Sequence, residues 1–257
     1  MFLGTLSFMN IQGKIALVTG AGRGIGSAIA RKLAAEGATV AVSYRESKAG
    51  AESVSNEIKQ AGGSAITVQA DLVDSRAAER MVREIEETLG SLDILVNNAA
   101  GFGPLKQIAD ADWSDFDDEW QAVVKPVVTA TRAALPGMRQ RRHGKIVNLS
   151  ATLLQRPAVG YGAHTMAKAA VLAYTRTLAR EVGPDGITVN AVSPGMALTE
   201  FSMSLPEEER EGIRQRTPLR RIATPEDVAD AVVFFCSPLA DFITGANLAA
   251  DGGLAVL

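Results

Sequence analysis

The chain has 257 residues, with 47 % apolar and 21 % charged side chains and a net charge of −3, the balance of a globular protein with a sizeable core. No block of like charge favours DNA, RNA or an anionic membrane surface as a partner. The lone cysteine, Cys236, excludes an internal disulfide and a cysteine-rich metal site, and the only histidines are His143 and His164, so a reducing, cytoplasmic compartment is expected and no metal.

Residues 1–9 are apolar but carry no basic flank and are too short for a membrane span; they read as an extension, with Met9 as an alternative start. From there, short β-type runs alternate with helical patterns. Strands are expected at 14–19, 39–44, 64–69, 92–97, 145–150, 187–192 and 247–250. Most are continuous apolar runs, as strands buried on both faces read. Helices are expected near 24–36, 47–61, 75–89, 114–141, 161–182 and 224–236, with Gly37, Gly62, Gly90, Gly144 and Gly183 each stopping one of the helices. This alternation predicts an α/β fold: a single Rossmann-type, doubly wound parallel sheet of about seven strands with helices on both faces, filling residues 1–257 as one domain. The stretch 196–223 breaks the rhythm with mixed charge, Pro206 and Pro218, and reads as a substrate lid, with Pro206-Glu207-Glu208-Glu209 starting a helix in it.

Directly after the first strand stands Thr19-Gly20-Ala21-Gly22-Arg23-Gly24-Ile25-Gly26, opening a helix. Gly20 suits a tight turn, Gly24 lets the backbone approach a pyrophosphate, and Gly26 lets helix and strand pack closely. The helix N-terminus then offers N–H groups and a positive dipole end to phosphates. The second strand ends Val42-Ser43-Tyr44-Arg45, without the carboxylate that would bind a ribose 2′-hydroxyl. Arg45 and Arg23 can instead pair with a 2′-phosphate, which favours NADP(H) over NAD(H); the other reading is two solvated arginines.

With that loop, the chain from about Ile11 to Gly253 resembles the short-chain dehydrogenase/reductase family, and within it the 3-oxoacyl-carrier-protein reductase branch. The resemblance rests on Thr19–Gly26, Ala70-Asp71-Leu72, Leu95-Val96-Asn97-Asn98-Ala99, Lys145–Ser150, Lys168-Ala169-Ala170, Ile187–Gly195 and Asp251-Gly252-Gly253. It implies a dinucleotide held by Gly20, Arg23, Gly24, Ile25, Gly26 and Arg45, with Asp71 and Leu72 flanking the adenine and Asn98 and Lys168 at the riboses. Pro194, Gly195, Ala197 and Thr199 would stand on the nicotinamide side. It also implies a small-molecule substrate and a homodimer or homotetramer.

The same resemblance marks departures. The family reads Asn-Asn-Ala-Gly where this chain has an extra alanine, Ala100. Its reductases use a tyrosine acid, a lysine four residues later, a serine thirteen residues before the tyrosine and an asparagine in the preceding long helix. Here Lys168 is present, but His164, Ala151 and Val123 occupy the other places. The lysine's charge lowers a tyrosine pKa; beside a histidine it disfavours imidazolium, so His164 is expected to be a poorer acid. Tyr161, one turn earlier, is a further candidate acid, and Thr152 a candidate replacement for the missing serine. Pro126 is expected to kink the long helix. The aspartates at 110, 112, 115, 117 and 118 read as a helix start rather than metal ligands, and Arg139–His143 as a solvated helix end. These readings predict an NADP(H)-dependent oxidoreductase acting on a carbonyl or alcohol with an atypical active site of Lys168, His164 and Tyr161. The alternatives are a non-redox enzyme on the same scaffold (dehydration, cyclisation or isomerisation) and a catalytically silent cofactor-binding partner subunit.

Overall fold

The structure is a computed structural model that describes residues 9–101 and 103–256; the expected N-terminal extension lies outside these residues except for Met9, which packs against the core. Seven parallel strands form one sheet: β1 (Ile15–Val18), β2 (Thr39–Tyr44), β3 (Ser64–Gln69), β4 (Ile94–Asn97), β5 (Gly144–Leu149), β6 (Ile187–Pro194) and β7 (Asn247–Ala250), in the order β3-β2-β1-β4-β5-β6-β7. The helices are α1 (Gly24–Ala35), α2 (Lys48–Gln60), α3 (Ser75–Leu89), α4 (Trp113–Glu119), α5 (Lys125–Arg141), α6 (Gly162–Val182), α7 (Glu200–Met203), α8 (Glu207–Arg216) and α9 (Pro225–Cys236).

Strand alternation sorts the apolar residues into two layers. Ala16, Val18, Val40, Val42, Ile94, Val96 and Val147 pack with Ile29, Leu33, Val54, Val228 and Val232 of α1, α2 and α9. Their neighbours Leu17, Ala41, Leu95 and Ile146 point the other way, onto Met81, Ile85, Ala134, Met138 and Val182 of α3, α5 and α6. Each such aliphatic side chain contributes about 1.5–3 kcal/mol by leaving water, which is why the strands read as unbroken apolar runs.

β1 sits between β2 and β4, so chain order reverses there. The connections leaving β1 and β4 part at this point, and a crevice opens beyond the carboxyl ends of the strands. A buried ladder braces it from behind: Asn97 Nδ2 donates to Asn148 Oδ1 (2.8 Å) and Thr131 Oγ1 (3.0 Å), and Asn148 Nδ2 donates to Thr175 Oγ1 (2.9 Å).

Two of the expected helix stops need correction. Gly144 does not stop a helix: α5 ends on Arg142, with φ 53, and Gly144 is needed because a Cβ there would stand 2.6 Å from Met138 Sδ. Gly183 likewise continues with φ −53 into a further turn, and Gly186, at φ 71, reverses the chain. The long helix expected near 114–141 is present as an unbroken helical run, but its hydrogen bonding changes register just ahead of the proline. α4 passes into α5 through a wide turn at Trp120–Val124, in which the Lys125 N–H reaches back to the Trp120 carbonyl, and Pro126 stands in the first turn of α5. Pro126 has no N–H for the carbonyl four residues back, and Ala122 instead accepts from the Gly101 N–H at 3.3 Å. The aspartates start a helix: Asp112 and Asp115 form a capping box on α4. The basic run at the end of α5 is solvated as expected, with Arg139, Gln140 and Arg142 exposed; Arg139 also meets Asp185, and Arg141 the Leu92 carbonyl and Glu86. Among the described residues no helix is long and apolar enough to cross a membrane.

Candidate active site

A cleft of about 600 Å³ runs from the loop after β1 along the ends of β4, β5 and β6, from Ile25 and Asn98 to His164 and Lys168.

At one end lies the glycine loop. Gly20 and Gly24 adopt φ 63 and φ 54, in the left-handed region. At Gly26 the constraint is space: a Cβ would meet Asn98 Nδ2 at 2.4 Å and the Gly20 carbonyl at 2.5 Å. Asn98 ties the loop to β4, its Nδ2 donating to the Thr19 and Gly20 carbonyls at 2.9 and 3.1 Å while Thr19 Oγ1 accepts from the Asn98 and Ala99 N–H groups. The N-cap residue of α1, Arg23, makes no side-chain capping hydrogen bond, so the helix start presents N–H groups suited to an anion. These features fit a pyrophosphate: amides converge on a helix N-terminus where side chains are sterically barred. Arg23 and Arg45 are exposed beside it, paired with Glu200 (3.1 Å) and Glu46 (2.9 Å). Asp71 is exposed and accepts from the Val73 N–H, whereas the Leu72 side chain is buried in the core and its carbonyl accepts from Thr129.

At the other end the cleft is walled by Pro194, Gly195, Ala197 and Thr199 beyond β6 and by the segment 196–223, whose Phe201, Glu209, Ile213 and Arg216 line it. Ala100, the extra alanine, also lines the cleft. Ala151 follows β5 and presents no hydroxyl. Thr152 does not supply one freely: its Oγ1 donates to the Pro194 carbonyl at 3.2 Å, and Ser150 Oγ donates to the Lys168 carbonyl at 3.1 Å. Tyr161 is the residue before α6 and lines the same cleft; burial, followed by the charge of Glu209, raises its phenol above the ordinary value. Val123 is buried among apolar side chains.

Lys168, on α6, is buried and its Nζ donates to the Leu149 carbonyl at 2.9 Å. Burial pushes its ammonium down to about 8, opposed by the charge of Glu119. Glu119 is the functional candidate that sequence reasoning missed. It ends α4, is only 4 % exposed, and its Oε2 lies 2.8 Å from Nδ1 of His164, itself 4 % exposed. Its Oε1 accepts from the Gly103 N–H at 2.8 Å. Burial opposes ionisation of Glu119, but the hydrogen bonds from His164 and Gly103 and the charges of His164 and Lys168 outweigh it and hold the carboxyl below its usual range. The electrostatics of His164 therefore cannot be argued from Lys168 alone, because a carboxylate touches the ring. A signal for Glu119 existed in the sequence: Glu119, Val123, Val127, Ala130 and Ala134 fall at helical spacing, and all are buried.

A crevice at a parallel-sheet switch point, a glycine loop opening a helix and a buried lysine on the helix after β5 define a class of dinucleotide-binding α/β proteins. The family model described as enoyl-(acyl carrier protein) reductase matches residues 20–255, and the chain belongs to the short-chain dehydrogenase/reductase family, a family of oxidoreductases. It is 38 % identical to 3-oxoacyl-(acyl-carrier-protein) reductase FabG of Staphylococcus aureus, over 94 % of this chain and 98 % of that one. It is 37 % identical to the FabG of Vibrio harveyi, over 96 % and 99 %. Among solved structures, a short-chain dehydrogenase/reductase from Serratia marcescens superposes with a TM-score of 0.89 at 36 % identity, covering 96 % of this chain and all (100 %) of that one. A dehydrogenase/reductase from Sinorhizobium meliloti gives 0.88 at 38 % identity, covering 97 % of each.

Proposed function

We propose that this protein is an NADP(H)-dependent oxidoreductase acting on a carbonyl or alcohol, with His164 in the role of proton donor and acceptor. The observation that carries this reading is the continuity of one cleft from the glycine loop to His164 and Lys168. The reductase names of its relatives support it. When bound, the dinucleotide supplies or takes up the hydride.

The chain's own residues do the rest. The N–H groups at the start of α1 hold the pyrophosphate, and Asn98 keeps the loop in shape. Arg23 and Arg45 exchange their exposed carboxylate partners for the 2′-phosphate. Lys168 stands by the nicotinamide ribose, and Pro194 to Thr199 border the nicotinamide. The segment 196–223 closes over the substrate and excludes water. His164 gives a proton to the oxygen of a carbonyl substrate, or takes one from an alcohol.

A panel of ketones with NADPH tests this: nucleotide consumed in step with alcohol formed is the expected result. Product formed with no nucleotide consumed would overturn it in favour of non-redox acid–base chemistry, the second reading that the Glu119–His164 pair favours. Sedimentation velocity checks the homodimer or homotetramer implied by the family.

A further inference from the structure

We infer that Glu119 is a positioning residue for His164: its carboxylate accepts the Nδ1 proton and leaves Nε2 as the nitrogen that exchanges a proton with substrate oxygen. This deepens the proposed oxidoreductase reading and rests on it only for the identity of that oxygen.

The argument starts from the contacts of Glu119. A carboxylate accepts only, and both oxygens here are used, one by the Gly103 N–H and one by His164 Nδ1, each at 2.8 Å. The proton between Glu119 and His164 therefore sits on Nδ1, which fixes the ring's tautomer and rotation. The pair is a poor device for stability alone, since desolvating two charges offsets much of their attraction. What it does supply is a ring in the cleft wall whose Nδ1 is held to a carboxylate, so that its other nitrogen can exchange a proton.

The surrounding backbone serves the same end. Pro126 frees the Ala122 carbonyl, which docks the loop after β4 through Gly101, and that loop presents the Gly103 N–H to Glu119. In the reducing direction the carbonyl carbon gains a hydride from the reduced nicotinamide dinucleotide, the C–O π pair moves to oxygen, and oxygen takes the Nε2 proton. His164 is left neutral, with Nδ1–H still on Glu119, and regains its proton from solvent.

Glutamine at 119 offers one acceptor oxygen and one donor NH₂. If its oxygen keeps the Gly103 N–H, its NH₂ faces Nδ1 and reverses the tautomer. Long-range ¹H–¹⁵N spectra of the whole protein test this readily, because His143 is the only other histidine and His143→Gln assigns the signals. The wild type should show Nδ1–H at neutral ring charge, and Glu119→Gln should convert it to Nε2–H. With a turned-over ketone, Glu119→Gln should lower kcat about 10²–10⁴-fold with KM little changed, and Glu119→Asp should restore part of it. An Nε2–H ring in the wild type, or a kcat unchanged in Glu119→Gln, would overturn the inference. The wild-type spectrum decides the tautomer even if Glu119→Gln does not fold. Nδ1–H in a protein that consumes no NADPH supports the positioning role and counts against the oxidoreductase reading alone.

Discussion

The two ends of the cleft are built by different means. The glycine-loop end is local: within eight consecutive residues, backbone conformation and the exclusion of Cβ atoms shape the loop proposed to hold a pyrophosphate, and Asn98 just after β4 locks it. The end proposed to exchange a proton is assembled from afar. Glu119 meets His164 across 45 positions, and both depend on a loop docked on the carbonyl that Pro126 leaves open. The first end tolerates no added bulk; the second tolerates no unpaired charge. Substitutions should therefore separate them.

The largest effect is expected at His164. His164→Gln retains a donor for Glu119 but cannot carry the proton, so kcat should fall about 10²–10⁴-fold, roughly 3–5 kcal/mol of barrier, with NADPH affinity unchanged. A matching loss of affinity would show that the two ends are not separable.

Lys168 lies at the His164 end, and its effect shows in stability against pH. Its folded value of about 8 lies below the ordinary lysine value of 10.5. Below pH 8 both states hold the proton and the native state carries the cost of a buried charge. Between about 8 and 10.5 the native state releases its proton first, so stability rises with pH by at most about 3 kcal/mol. Denaturant unfolding of wild type against Lys168→Met should show this rise as a difference. The buried Cys236 thiol, pushed up to about 12 by burial, acts in the opposite direction but equally in both proteins, and so cancels.

Gly26→Ala tests the loop end. The Cβ contacts of 2.4 and 2.5 Å force the loop or Asn98 to move, at about 1–3 kcal/mol, and NADPH binding should weaken strongly while the His164 spectrum stays as in the wild type. Thr224→Ala, which removes the capping box of α9, should cost about 1 kcal/mol in thermal unfolding.

This contrast also explains what the sequence could show. Strands such as Ile94–Asn97 and the loop Thr19–Gly26 were legible because their determinants are periodicity and glycine placement over a few residues. The expectation that His164, Ala151 and Val123 stand where the family carries catalytic groups came from the family resemblance rather than from any local pattern. Glu119 was not singled out, because it follows a run of aspartates that do start a helix; its spacing with Val123, Val127, Ala130 and Ala134 marks a buried face, but its partner His164 lies 45 positions away, beyond any local pattern. The stops at Arg142 and Gly186 were misplaced for a similar reason. The chain turns where α5 meets β5 and the turn before β6, so tertiary packing rather than the nearest glycine decides the position.

The central claim is that the amides at the start of α1 hold a nicotinamide dinucleotide. Isothermal titration calorimetry of the folded protein with NADPH and with NADH tests it most directly. Saturable heat with NADPH, weaker heat with NADH, and loss of the preference in a variant carrying both Arg23→Ala and Arg45→Ala are predicted. No heat with either nucleotide from protein shown to be folded would contradict it.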